Sequence, residues 1–171
     1  MRKLFLAIAC IWCCLFGFTA CDPGRNHINA EETIAHTVKI ELVYYENTAP
    51  KLLKLKGAQK PKFDFNKATL LETLDENQFE NIITESSALL LLLYNRTTNE
   101  PIGKTIIFHQ DNGDMLVLYY SIFTNAKQDT FYYGDCVRFN KDGEFIEYLG
   151  DIDSLNSYNT IISNYFPNHA E

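Results

Sequence analysis

The chain has 171 residues, with 15 Lys and Arg against 22 Asp and Glu and a net charge of −7. Apolar residues make up 46% of it, enough for a packed core and too many for wholesale disorder, and the length suits one domain. The acidic balance argues against sequence-independent nucleic-acid binding, which needs clustered Lys and Arg, and with three of the five cysteines in the first 14 residues a disulfide framework is excluded as well.

Met1-Arg2-Lys3 is a short positive start, and Leu4 to Phe18 is an uncharged, strongly apolar run of 15 residues. Such a run matches the apolar stretch of an export signal and falls short of the ~20 residues a spanning helix needs. Phe18-Thr19-Ala20-Cys21 follows. Small residues suit a signal-peptidase pocket, and Cys directly after them resembles the lipobox of bacterial lipoprotein signal peptides, with Phe18 where that family usually carries Leu. The resemblance covers residues 1–21 alone. It implies that residues 1–20 are removed, that the Cys21 sulfur is diacylglycerylated, and that the new amino terminus is usually acylated. The mature chain would then sit on a bacterial envelope membrane, facing the periplasm. Each buried CH₂ contributes ~0.8 kcal/mol, so two or more chains anchor stably. Cys10, Cys13 and Cys14 would leave with the signal. Asp22 resembles an inner-membrane retention signal of enterobacteria-like lipoproteins, which leaves the choice of membrane open.

Without Arg2 and Lys3, 13 basic residues face 22 acidic ones, a net charge of −9. Residues 21–37 read as the lipidated Cys and a flexible tether, and residues 38–171 as one globular α+β domain. Val38 to Tyr45 alternates as a strand, with Val38, Ile40, Leu42 and Tyr44 expected on the core face. Residues 51–67 carry six lysines against Asp64, a local charge of +5. They suit either anionic headgroups or a solvated segment that protects a sheet edge, and Gly57 and Pro61 break any amphipathic helix there.

Leu74-Asp75-Glu76-Asn77-Gln78-Phe79 has the residues of a helix start, and the helix is expected over about 75–85. Ala88 to Tyr94 is apolar throughout and predicts a central strand buried on both faces. A helix leading into such a strand is similar to thioredoxin, but Asn95-Arg96-Thr97-Thr98 stands where a Cys-x-x-Cys would be needed. A meander follows: Ile102–His109, the Asn112-Gly113 hairpin cue, Met115–Phe123, Thr130–Phe139, a turn at Asn140–Gly143, and Glu144–Leu149. Asp153 or Ser154 caps a last helix over about 154–166, with Leu155, Tyr158, Ile162, Tyr165 and Phe166 on its apolar face and Pro167 as its stop. The expected fold is an antiparallel meander sheet of about five to six strands with two helices.

Chemistry-bearing patterns are sparse. With Cys21 lipidated, Cys136 is the one thiol left in the mature chain. A nucleophile needs a base and a shifted pKa, and a sequence neighbour on a strand, such as Asp135, points to the opposite face. The spacing of His27, His36, His109 and His169 fits no zinc motif. Asp111, Asp114, Asp142, Asp151 and Asp153 are expected in turns, where Asp serves backbone geometry without a metal. No catalytic set, metal site or cofactor is therefore expected. All ten tyrosines lie in the mature chain, with doublets at Tyr44-Tyr45, Tyr119-Tyr120 and Tyr132-Tyr133. One ring of each doublet can leave the core, which makes Tyr45, Tyr120 and Tyr132 candidates for a binding surface. The expected function is a lipid-anchored, non-enzymatic module that binds a protein, such as a basic envelope enzyme held by an inhibitor, immunity protein or accessory subunit. A small-ligand carrier or sensor is the alternative, and a hydrolase a third.

Overall fold

The computed structural model describes residues 29–46, 63–91, 101–124, 130–152 and 154–170. The signal-like segment, Cys21, His27, Asp153 and the lysines from 51 to 62 lie outside the described residues.

The described chain opens on a short helix, α1 (Ala30–His36), inside the stretch read above as tether. The cause is local. Asn29 caps it, its side chain accepting from the Glu32 N–H at 3.3 Å, and Glu31, Glu32 and His36 carry charge of the favourable sign at its two ends. Seven strands follow: β1 (Thr37–Tyr45), β2 (Ala68–Thr73), β3 (Leu90–Leu91), β4 (Ile102–Gln110), β5 (Met115–Thr124), β6 (Thr130–Phe139) and β7 (Phe145–Ile152). They form one sheet in the order β2-β1-β4-β5-β6-β7-β3, antiparallel at every pairing. Helix α2 (Phe79–Ala88) joins the two edges, and α3 (Leu155–Tyr165) follows β7. The fold is α+β, and β4 to β7 run as the expected meander.

Among the described residues the three α-helices cover one face of the sheet. There Ile40, Leu42, Ile106, Phe108, Leu116, Leu118 and Tyr120 meet Phe79, Ile82 and Ile83 of α2 and Tyr158, Ile161 and Ile162 of α3 in one buried cluster. The opposite face has its own core. Val43, Tyr45, Ile107, Met115, Val117, Tyr119, Val137 and Phe139 pack under Phe63, with Phe65 alongside. Residues 63–67 thus lie across the sheet, tied down where the Phe63 N–H donates to the Gly143 carbonyl at 2.9 Å.

The two-sided core changes several expectations. On β1, Ile40 and Leu42 are buried as read, but Val38 (56% exposed) and Tyr44 (39%) are not, while Val43 and Tyr45 are buried on the other face. Ala88 ends α2, and the apolar run that follows gives the two-residue edge strand β3 rather than a central strand; residues 92–94 lie outside the described residues. A short apolar run reads equally well as helix or strand, and here α2 consumes its start. Strand β2 was not anticipated, because Leu70 and Leu71 are adjacent and break the alternation of a half-buried strand. The helix start is later than expected: residues 76–78 form a 3-10 turn, and neither Asp75 nor Gln78 makes a side-chain cap bond. The last helix is capped by Ser154, whose side chain accepts from the Ser157 N–H at 3.1 Å. Its buried face holds Ile161 as well, while Leu155 is exposed.

Candidate functional site

The outer face of the sheet carries a half-open groove of about 460 Å³. Val43, Ile107 and Met115 make an apolar floor, and Leu70, 55% exposed on the edge strand β2, stands at its rim. At one end a polar chain crosses from β1 to β4. Lys39 Nζ lies 2.8 Å from Glu41 Oε1, and His109 Nε2 lies 2.6 Å from Glu41 Oε2. Strand register creates this chain. Lys39 pairs directly with His109, which puts Glu41 on the diagonal within reach of both.

Burial raises the pKa of Glu41, but the hydrogen bonds and charges of Lys39 and His109 outweigh it and hold the carboxyl below its ordinary range. Burial pushes His109 below the ordinary histidine range; Glu41 opposes that shift and the Lys39 charge adds to it. Near neutral pH the arrangement is therefore an ionised carboxylate beside a neutral imidazole. The Nε2–H donates to Glu41, which leaves the Nδ1 lone pair as an acceptor. An imidazole so oriented can accept a hydrogen bond from a ligand or from water. Among the described residues the groove lining contains no Ser, Thr or Cys that it could activate as a nucleophile.

A second polar cluster lies deeper on the same face. Asp135 and Asp151 are direct partners across β6 and β7, 2% and 8% exposed. The Tyr148 hydroxyl is hydrogen-bonded to Asp151 and lies 3.3 Å from Asp135 Oδ1. Asp151, expected in a turn, is thus a buried strand residue. The Asp135–Asp151 pairing was missed because cross-strand partners far apart in sequence become visible only once register is fixed. Asp111, Asp114 and Asp142 lie at hairpin tips, where the side chains that accept from the backbone are those of the asparagines: Asn112 Oδ1 accepts from the Asp114 N–H at 2.8 Å and Asn140 Oδ1 from the Asp142 N–H at 2.9 Å.

The tyrosine candidates separate. Tyr45 and Tyr120 are each 6% exposed, whereas Tyr132 is 56% exposed. Tyr45 packs edge-on against Phe63 at 5.2 Å and donates to the Asp64 carbonyl at 3.1 Å. Tyr120 lies 5.2 Å from the ring of Tyr158. The expectation of a surface place for both fails for two reasons: Tyr45 is covered by Phe63 on the outer face, and Tyr120 is buried among the residues under the helices. Tyr132 is exposed but lies on the helix side of the sheet, away from the groove. Cys136 is fully buried in the helix-side cluster, with its thiol pushed far up by burial and by Asp135. His109 sits on the opposite face, so the two cannot act together.

Among the described residues no group of three His, Cys, Asp or Glu side chains is placed to hold a metal, and no helix is long and apolar enough to cross a membrane. Comparison of the chain with protein-family models, with curated proteins and with solved structures finds no match.

Proposed function

We propose that the chain is a lipid-anchored envelope protein, held by Cys21 and facing the periplasm, whose domain is a non-enzymatic module that binds a protein partner along the outer face of its sheet. The observation that carries this reading is the groove. It is half-open, apolar on its floor, and bordered by an edge strand that exposes Leu70. An open trough of this kind suits an extended polypeptide segment more than a small molecule, which is usually enclosed on most sides. The sealed thiol of Cys136, and the lack of a Ser, Thr or Cys beside His109 among the described residues, support binding over hydrolysis. The net charge of −9 in the trimmed chain favours a basic partner through long-range attraction.

The test places a photo-crosslinking residue at position 70 or at position 146 of the full chain, produced in a bacterial host that processes lipoproteins. Ile146 is 44% exposed and lies away from the groove. A discrete adduct from position 70, weakened by salt and not formed from position 146, is the expected result. Equal labelling from both positions, or none from 70, overturns the binding face. Intact mass of the same material tests the anchor separately, through a diacylglyceryl thioether on Cys21 and loss of residues 1–20.

A further inference from the structure

Each histidine among the described residues meets a carboxylate from another element. His36 Nδ1 lies 3.0 Å from Asp111 Oδ2, His109 Nε2 lies 2.6 Å from Glu41 Oε2, and His169 Nε2 lies 3.4 Å from Glu72 Oε2. The first of these joins the helix nearest the anchor to the sheet. His36 is the last residue of α1, and Asp111 follows β4 at the tip of the hairpin with β5.

The contact is built on the backbone as well as on the side chains. The Asp111 N–H donates to the His36 carbonyl at 2.8 Å. Gln110 Nε2 donates to Thr37 Oγ1 at 2.9 Å, and that hydroxyl donates to the Thr33 carbonyl at 2.7 Å, back inside α1. These bonds close a ring of partners between the helix C-terminus and the hairpin tip. Only one of them, His36 to Asp111, changes strength with protonation. A helix of seven residues has little stability of its own, so its order depends on such tertiary contacts.

We propose that the His36–Asp111 pair is an acid-tightened clasp that fixes α1 to the tip of the β4–β5 hairpin. A charged imidazolium at that position meets Asp111 and also the negative C-terminal end of the helix dipole. The charged groups acting on His36 are Asp111 from the hairpin and Glu32 from α1 itself; both favour the imidazolium, and the hydrogen bond to Asp111 is the main reason its pKa is raised. As pH rises, His36 loses its charge, the clasp keeps only its neutral bonds, and α1 frays more often.

The clasp stands on contacts within the domain and does not need the anchor. Its consequence at a membrane rests on the lipoprotein reading. Asn29 is eight positions beyond Cys21, a leash of at most ~27 Å when fully extended. Freeing α1 as extended chain adds seven residues and brings the reach to ~50 Å. The clasp would then set how far the binding groove can travel from the bilayer.

Hydrogen exchange on the full chain, expressed as protection factors at pH 5.5 and pH 8, tests this without reference to the anchor. The amides of residues 34–37 are expected to gain about two- to fivefold in protection at the lower pH, while those of α2 show no matching gain. The gain should vanish in His36→Gln and in Asp111→Asn. His36→Lys, which carries a fixed charge, should hold protection steady across the range. A flat wild-type ratio overturns the clasp, as does a gain that survives any of the three substitutions. Loss of α1 protection at all pH values in His36→Gln would make the pair structural, and overturns the proposal if His36→Lys behaves the same way.

Discussion

A buried hydroxyl shows how much a single polar atom matters in this sheet. Tyr158 is 2% exposed, and its hydroxyl lies 3.0 Å from the carbonyls of both Lys104 and Leu118, so burial costs it no hydrogen bond. Thr105 is fully buried, yet its Oγ1 has no hydrogen-bond partner among the described residues. It sits on β4 opposite Val43, on the apolar outer face. A hydroxyl that loses water and gains nothing costs about 1–3 kcal/mol. Thr105→Val keeps the branched shape and removes the orphan, so it should stabilise the domain by about 1 kcal/mol. A rise in the urea midpoint with an unchanged slope is the expected signature, and a fall would mean that the hydroxyl finds a partner in solution. Tyr45, withdrawn from the surface, follows the same logic. Tyr45 is buried with its hydroxyl bonded to the Asp64 carbonyl, a partner 19 residues away that strand alternation alone does not reveal.

At the level of elements, the segment at residues 63–67 decides whether the sheet has one core or two. Its hold is the turn at Asn140–Gly143. Gly143 has φ +74°, and a Cβ there would stand 2.0 Å from the Phe63 carbonyl oxygen. Gly143→Ala therefore combines a strained backbone with a backbone collision, and should cost about 3 kcal/mol. Gly113 is the control. Its φ is +88°, but its added Cβ meets only Lys141 at 3.7 Å, so Gly113→Ala should cost about 1 kcal/mol through backbone strain alone. Equal losses for the two, measured by denaturant melts, would show that the segment does not depend on this turn. The contrast also marks what a sequence can reveal. The hairpins at 111–114 and 140–143 and the C-terminal helix were legible because Asn-Gly, Asp-Gly and a capping Ser act within a few residues. The lid over the second face was not, since Phe63 and Gly143 meet only after the sheet has formed. Helix α1 was legible in principle: Asn29 followed by Glu31, Glu32 and a terminal His36 is a capped helix with favourable end charges. The groove site lies between these cases. His109 could be placed at a strand end, but Glu41 is 68 positions away and becomes its partner only through the β1–β4 register.

For the molecule as a whole, the histidines pull the pH dependence of stability in opposite directions. His36 is charged more readily in the fold than in the open chain, so its contribution is complete below its unfolded value near 6.5 and fades as pH rises through its raised folded value. Its exposure keeps that contribution small. His109 behaves in reverse. Burial depresses its folded pKa below 6.5, so between those two values the unfolded chain binds more protons than the native one. Native stability must then fall as pH drops from about 6.5 toward that folded value. Glu41, also depressed, continues the loss below about pH 4.5, where the open chain takes up its proton first. The more deeply buried group should dominate, so the domain should weaken with acid even while α1 is held more tightly. Urea midpoints measured from pH 7.5 down to pH 5 should decline for the wild type. His109→Gln removes the titrating group and keeps a donor for Glu41, so it should flatten that decline, whereas His36→Gln should steepen it slightly. A wild-type midpoint that holds constant through this range, or a decline untouched by His109→Gln, would mean that the imidazole beside the groove is as easily protonated in the fold as in water. The neutral hydrogen-bond acceptor assigned to the site would then be lost with it.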